Sequence, residues 1–139
     1  MSFHTCSSVE QTIKFGYDLG QQLPNGSIVC LFGDLGAGKT TFIKGLAAGA
    51  AGVDLQQVNS PTFVYLNIYN GYRTVYHFDL YRLRDADEFL SMGFDEMLFA
   101  EGVCCIEWSE RIASLLPPSC IKITLQHRDE VTRTIRIEA

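Results

Sequence analysis

Eight consecutive residues, Gly33-Asp-Leu-Gly-Ala-Gly-Lys-Thr40, constrain the fold of this 139-residue chain more than any other part of it. Directly before them, residues 27–32 (Ser-Ile-Val-Cys-Leu-Phe) form a short apolar run that predicts a buried strand. Directly after them, apolar side chains recur at helical spacing, at Phe42, Ile43, Leu46 and Ala47. A strand, a glycine-rich loop and a helix in this order are the context in which the pattern G-x-x-x-x-G-K-[ST] binds phosphate. The sequence therefore predicts an α/β domain organised around a P-loop.

The residue types in this loop suit the phosphates of a nucleotide. Glycines allow positive φ and let the backbone approach a ligand, so the amides of residues 36–41 can point at phosphate oxygens. We expect Lys39 to reach the β- and γ-phosphates and the Thr40 hydroxyl to bind Mg²⁺. The predicted nucleotide-binding residues of the loop are Gly33, Asp34, Leu35, Gly36, Ala37, Gly38, Lys39, Thr40 and Thr41.

Composition excludes several classes of protein. A net charge of −5 argues against a broad nucleic-acid surface, which would need a basic patch. Residues 1–8 have neither a basic nor an apolar region, and no apolar run approaches a membrane span. The five cysteines lack C-x-x-C spacing and suit reduced structural thiols, and the histidines lack the spacing of zinc ligands. We therefore expect one cytoplasmic domain over residues 1–139, without a membrane segment.

The segment before the P-loop predicts a helix. Ser7-Ser-Val-Glu10 has the form of a capping box, so the helix is expected to begin at Ser7. Val9, Ile13 and Tyr17 recur every four residues and are expected to form its buried stripe, while the glycines at 16 and 20 lower its helix propensity.

Asn70-Gly71 lies between two runs rich in aromatic and β-branched residues, 63–69 and 72–78. This pattern predicts a hairpin with a two-residue type I′ turn. The predicted register places Tyr69 opposite Tyr72 and Thr62 opposite Asp79, and both ends would then meet near the γ-phosphate.

Two carboxylates compete for the metal. Asp79 and Glu107 each end an apolar, strand-like run, and an acid at the end of a buried strand is the Walker B pattern. Trp108 adjoins Glu107 and is expected at the edge of the site. Arg82 either stabilises developing charge or pairs with a neighbouring aspartate at the surface, and His77 suits a structural role better than that of a base.

The remaining patterns complete a three-layer P-loop NTPase-like α/β domain with a mixed sheet, parallel at its centre and flanked by antiparallel hairpins. Short helices are expected over residues 84–91, 95–100 and 109–116. A second hairpin is expected around the turn 127–130, with residues 131, 135 and 137 apolar on one parity and Arg133 interrupting them.

The sequence lacks features that two other classes of P-loop protein, GTPases and small-metabolite kinases, would need. Asp79-Leu-Tyr-Arg82 lacks the glycine of D-x-x-G, and N/T-K-x-D does not occur, which disfavours a GTPase. A small-metabolite kinase would need an arginine-rich lid, whereas the basic residues here are scattered.

Four motifs in order resemble the TsaE (YjeE) family, small bacterial ATPases of tRNA threonylcarbamoyladenosine synthesis. They are Gly33-Asp-Leu-Gly-Ala-Gly-Lys-Thr-Thr41, Ser60-Pro-Thr-Phe63, His77-Phe-Asp-Leu-Tyr-Arg82 and Ile106-Glu-Trp108. The resemblance covers residues from about 8 to about 116. Ser109, where many members have proline, and Asn59 depart from the family pattern.

The resemblance implies a Mg²⁺-dependent ATPase that drives the cycle of TsaD and TsaB without transferring the threonylcarbamoyl group itself. It implies that Lys39 binds phosphate and that Thr40 and Glu107 hold Mg²⁺. Thr62 and Asp79 would lie near the γ-phosphate, Trp108 at the site edge and Thr12 near the adenine. With a net charge of −5, direct tRNA contact is expected to be weak or absent. A small-metabolite kinase and a nucleotide-gated binding module without turnover remain the alternatives.

Overall fold

The computed structural model describes residues 1–33, 38–59 and 64–138. Four α-helices are present in these ranges: α1 (Val9–Gln22), α2 (Lys39–Ala51), α3 (Ala86–Ser91) and α4 (Asp95–Leu98). The strands there are β1 (Ser2–Cys6), β2 (Ser27–Phe32), β3 (Leu66–Asn70), β4 (Thr74–Asp79), β5 (Val103–Glu107), β6 (Ile121–His127) and β7 (Arg133–Glu138). The same ranges contain two short 3₁₀ helices, Leu55–Gln57 and Ser109–Leu115, and the second forms the short helix expected over residues 109–116.

All seven strands belong to one sheet, in the order β1-β7-β6-β2-β5-β4-β3. The four central strands, β6, β2, β5 and β4, are parallel to one another, and the outer pairs are antiparallel. Each predicted hairpin therefore contributes one strand to the parallel centre and one to its flank. The predicted fold class, a P-loop NTPase-like domain with a mixed sheet, is confirmed.

Two apolar cores lie on opposite faces of the sheet. On one face, α1 and α2 pack over residues that include Val29, Leu31 and Cys105. On the other face, α3, α4 and the 3₁₀ segment pack over Ile28 and Ile106. The domain thus has three layers, and the strands between them are buried on both sides, as their continuous apolar sequences predict.

Helices α1 and α2 touch through glycines, which corrects the predicted stripe of α1. A Cβ at Gly45 would collide with the carbonyl of Ile13, and one at Gly49 would collide with that of Tyr17. These pairings also show that the two helices run in the same direction. The buried residues of α1 are Thr12, Gly16 and Gly20, whereas Val9 and Tyr17 of the expected stripe are exposed.

The amino-terminal region differs from the prediction in two ways. Residues 2–6 form β1, which pairs antiparallel with β7 and which the sequence did not indicate. Helix α1 is capped by Ser8, one residue later than expected, because the Ser8 hydroxyl accepts from the Gln11 amide over 3.1 Å. The Gln11 side chain in turn accepts from the Ser7 amide.

The predicted register of the first hairpin is wrong. Asn70 pairs with Thr74, and neither Asn70 nor Gly71 has the positive φ that a type I′ turn requires. The loop of residues 71–73 instead packs on the end of α2, where the Tyr72 amide donates to the Ala51 carbonyl. A Cβ at Gly71 would collide with that same carbonyl oxygen.

This register also removes the predicted Thr62–Asp79 pairing. The Asp79 amide donates to the carbonyl of Tyr65 over 2.9 Å, so Tyr65 occupies the expected place of Thr62. Thr62 itself lies outside the described residues.

Two further observations concern expectations from composition. All five cysteines are free and buried. Within the described ranges, no helix combines the length and the apolar character that crossing a bilayer requires.

Candidate nucleotide-binding site

The two described ends of the P-loop have the backbone that this loop needs. Gly33 directly follows β2 with φ of 143°, and Gly38 caps α2 with φ of 92°. The Phe42 amide donates to the Gly38 carbonyl over 2.9 Å, which is the first bond of α2. The predicted binding residues between them, Asp34, Leu35, Gly36 and Ala37, lie outside the described residues.

Helix α2 begins where the central parallel strands end. Lys39, Thr40 and Thr41 form its first turn, whose free amides and positive dipole end favour an anion. Lys39 and Thr41 are half-buried and Thr40 is exposed, so the Thr40 hydroxyl is accessible to a ligand.

Asp79 and Glu107 lie side by side at this same edge of the sheet. They are register partners at the ends of the parallel strands β4 and β5, and both are buried. Register partners in parallel strands point to one face, here the face that α2 covers. Strand β5 adjoins β2, whereas β4 lies one strand further away, a step of about 4.8 Å. Glu107 is therefore the carboxylate nearer the P-loop strand.

The backbone holds Asp79 in place. Its Oδ1 accepts from the amide of Tyr81 over 3.1 Å, so the carboxylate turns the chain that leaves β4. On the neighbouring strand, the Glu107 carbonyl accepts from the Leu80 amide over 3.1 Å, which ties the two strand ends together.

Trp108 lies beside the P-loop lysine. Its ring centroid is 5.2 Å from Lys39 Nζ, a distance at which a cation interacts with an aromatic face. Tyr81 packs against the same ring at 5.1 Å between centroids, and the Arg111 guanidinium lies 5.7 Å from it. Trp108 has φ of 60°, a left-handed conformation that costs a bulky residue about 1–3 kcal/mol.

His77 contacts Glu107 in the protein interior. His77 Nε2 lies 3.0 Å from Glu107 Oε2, and the imidazole is fully buried. Its Nδ1 has no hydrogen-bond partner among the described residues. A buried polar atom left without a partner costs about 1–3 kcal/mol, so a purely apolar side chain would fill this position at lower cost.

A pocket opens on the other side of the α2 terminus, towards α1. Thr12, predicted to lie near an adenine, is buried there, and its hydroxyl donates to the Ser8 carbonyl over 3.2 Å. The pocket is lined by Val9, Thr12, Gly38, Thr41, Val131 and Arg133.

Sequence reasoning missed Arg133 as a site residue. A Cβ at Gly38 would lie 3.3 Å from Arg133 Nε, so the guanidinium group packs directly on the end of the P-loop. Its nitrogens donate to the carbonyls of Asp129, Glu130 and Thr132, which fixes its orientation. The break in apolar alternation at Arg133 was the signal that could have found it.

Arg82 is exposed at the turn after β4, and its predicted role stays untested. The aspartate expected as one possible partner, Asp85, instead caps α3 and accepts from the Glu88 amide over 2.9 Å. This bond is the main reason that the pKa of the Asp85 carboxyl lies below its usual value.

The donor set suits a magnesium ion held jointly with phosphate. Among the described residues, no three His, Cys, Asp or Glu side chains cluster as a metal site. Magnesium does not need such a cluster, because it keeps several waters and binds through one or two protein oxygens plus substrate phosphates. An accessible Thr40 hydroxyl and a strand-end carboxylate at the same edge fit this chemistry.

Comparison with known proteins places the chain in a family. Residues 6–135 match the family model of the threonylcarbamoyl adenosine biosynthesis protein TsaE. The tRNA threonylcarbamoyladenosine biosynthesis protein TsaE of Treponema pallidum is 42% identical over 130 residues, covering 94% of this chain and 95% of that protein. The protein of the same name from Bacillus subtilis is 41% identical over 115 residues, covering 82% and 70%.

A similar solved structure supports the same family assignment. The crystal structure of Bacillus subtilis YdiB is similar with a TM-score of 0.76 at 31% identity, over 96% of this chain and 82% of the other. From the family match and relatives of this identity over most of their length, the chain belongs to the TsaE family of threonylcarbamoyl adenosine biosynthesis proteins.

Proposed function

We propose that this protein binds and hydrolyses Mg-ATP as part of tRNA threonylcarbamoyladenosine synthesis. The observation that carries the proposal is the meeting of three elements at one sheet edge. The first turn of α2 supplies Lys39, and the parallel strands β4 and β5 end there in the paired carboxylates Asp79 and Glu107. An anion cradle beside acidic strand ends is what phosphoryl transfer requires of a protein.

Each residue has a separate role in the proposal. Lys39 binds the β- and γ-phosphates, with the loop amides of residues 36–41. Thr40 and Glu107 hold Mg²⁺, which would neutralise charge on the phosphates. Asp79, one strand further from the P-loop strand, places the attacking water, together with Thr62.

In this proposal the base of the nucleotide lies against the residues on the α1 side of the α2 terminus. Thr12 and Thr41 supply hydroxyls there, and Arg133 supplies a planar cation that suits stacking on a purine. Trp108 closes the opposite side, next to Lys39.

In the cell we propose that hydrolysis drives a complex of TsaD-type and TsaB-type proteins in the cytoplasm. The family description and the relatives' names support the pathway. The net charge of −5 supports weak direct contact with tRNA or none.

The first test is a fluorescence titration of Trp108, the single tryptophan of the chain. Mg-ATP should produce a saturable change, Mg-GTP a weaker one, and Lys39→Ala should lose the response. Lys44→Ala, on the same helix beyond its first turn, is the matched control and should respond like the wild type. A wild-type protein that responds to neither nucleotide would contradict nucleotide binding at this loop.

The second test is turnover. ADP should form slowly from the protein alone and faster with TsaD and TsaB, and depletion should lower threonylcarbamoyladenosine in tRNA. Binding without turnover in either condition would favour a nucleotide-gated module, and ADP formed only with an added metabolite would favour a kinase. Unchanged tRNA modification after depletion would contradict the cellular role.

A further inference from the structure

His77 is a buried polar residue whose environment does not explain it. On its face of β4 it lies between the buried side chains of Val75 and Asp79, and its neighbours across the sheet are Cys105 of β5 and Asn67 of β3. One imidazole nitrogen contacts Glu107 and the other has no partner among the described residues. A side chain chosen only to fill the core would not leave a polar atom unpaired there.

The direction of the contact follows from the chemistry of its atoms. A carboxylate oxygen accepts hydrogen bonds, so Nε2 of His77 donates to Oε2 of Glu107 over 3.0 Å.

The contact restricts Glu107. Residues 105 and 107 of β5 point to the same face, so His77, opposite Cys105, reaches Glu107 along the pleat. Oε2 is occupied by the imidazole and Oε1 is left for a ligand. Without this bond the glutamate side chain would be free to rotate about its terminal torsion, which has a broad range of favourable angles.

We propose that His77 is a positioning residue that holds the Glu107 carboxylate so that Oε1 faces the ligand bound at the P-loop. This rests on the proposed function, in which Glu107 binds Mg²⁺. Residues that bond to a metal-binding side chain typically change metal affinity or activity by about 10–100-fold when they are replaced.

Three substitutions of His77 distinguish a role in positioning Glu107 from a role in filling the core. His77→Gln keeps an N–H donor at about the reach of Nε2, whereas His77→Asn keeps an amide that is too short to reach Glu107. His77→Leu removes the donor and keeps the bulk. Val75→Ala is the matched control, since Val75 is fully buried on the same face of β4, two residues earlier.

The first measurement is the apparent dissociation constant for Mg²⁺, obtained from Trp108 fluorescence at a fixed ATP concentration. The second is the affinity for ATP without Mg²⁺, measured in EDTA. We expect His77→Asn and His77→Leu to lower the affinity for Mg²⁺ about tenfold or more. Their affinity for ATP in EDTA should be unchanged. His77→Gln should stay within about threefold of the wild type by restoring the donor, and Val75→Ala should change only the melting temperature.

The contrary outcomes are distinct. A normal Mg²⁺ constant in His77→Asn, or equal losses in His77→Asn and His77→Gln, would overturn the positioning role while leaving nucleotide binding intact. If both amide variants fail to fold, His77 serves the core and the inference is wrong. A wild type that binds no nucleotide would instead overturn the proposed function itself.

Discussion

Arg73 Nη2 donates to the carbonyl of Gly20 over 2.7 Å, across 53 residues of sequence. The same guanidinium group donates to the carbonyls of Leu23 and Ala50. Gly20 and Leu23 lie at the end of α1 and Ala50 at the end of α2, where carbonyls lack helical partners and both dipoles are negative. The guanidinium group of one hairpin-loop residue therefore caps the carboxyl ends of two parallel helices.

Replacing Arg73 should destabilise the fold. We expect Arg73→Ala to lower the free energy of unfolding by about 3 kcal/mol, because charge-assisted bonds are lost and half-buried carbonyls are left unpaired. Arg136→Ala is the control, since Arg136 forms an exposed ion pair with Glu138 and should change stability by less than about 1 kcal/mol. Urea unfolding measures the stability of both variants. If Arg73→Ala lost as little stability as Arg136→Ala, Arg73 would not stabilise the helix ends.

Because α1 and α2 contact each other at glycines, replacing one of these glycines by alanine should destabilise the protein, which is the opposite of what helix propensity predicts. Glycine to alanine within a helix usually gains about 1 kcal/mol. At Gly49 the new methyl group would collide with the Tyr17 carbonyl, so Gly49→Ala should instead destabilise the protein. A thermal melt decides the sign, with exposed Gln21→Ala on α1 as the control. A higher melting temperature for Gly49→Ala would mean that the helices do not touch there.

Arg133 should contribute to nucleotide affinity through the base. We expect Arg133→Ala to weaken ATP binding about tenfold, as the loss of one stacked cation implies. Binding of inorganic tripolyphosphate, which has no base, should not change. Arg136→Ala on the same strand is again the control. Equal losses for ATP and tripolyphosphate would place Arg133 on the phosphates, and no loss would remove it from the site.

The buried thiols predict a loss of stability at alkaline pH. Burial raises the pKa of Cys30 from 9.0 to about 12. Between these values the folded thiol keeps a proton that the unfolded thiol has released, so the free energy of unfolding falls as pH rises. This contribution is complete below pH 9.0 and is lost on the way to about pH 12.

Urea unfolding at pH 8 and pH 10 measures the effect. The decrease should be larger in the wild type than in Cys30→Ala, which lacks the group. Equal decreases in the two proteins would show that Cys30 ionises as readily in the folded state as in the unfolded one.

The elements that were predictable from sequence are those whose neighbours in sequence determine them. Strands β2 and β5 are buried on both faces and carry continuous apolar runs, so the pattern predicted the bounds of β2 and placed β5 to within one residue at each end. The P-loop helix followed likewise from its glycines and its apolar spacing. The sequence also identified Asp79 and Glu107 as acids that end apolar, strand-like runs, and the parallel pairing of β4 and β5 brings them together.

What could not be predicted depends on distant backbone. The loop around Gly71 takes its shape from the end of α2, so its local Asn-Gly signal was misleading. The buried face of α1 is determined by glycines that contact another helix, and hydrophobic periodicity does not register a residue without a side chain. Strand β1 exposes most of its residues and exists because β7 is available to pair with it.

The sheet order has a consequence for how the chain is made. Among the described strands, β1 emerges from the ribosome first, whereas its partner in the sheet, β7, is the last of them to be synthesised. Strand β6, which separates β7 from the P-loop strand, comes almost as late. The pocket beside Gly38, with Thr12 from α1 and Arg133 from β7, therefore cannot form on a nascent chain until residues 121–138 have emerged.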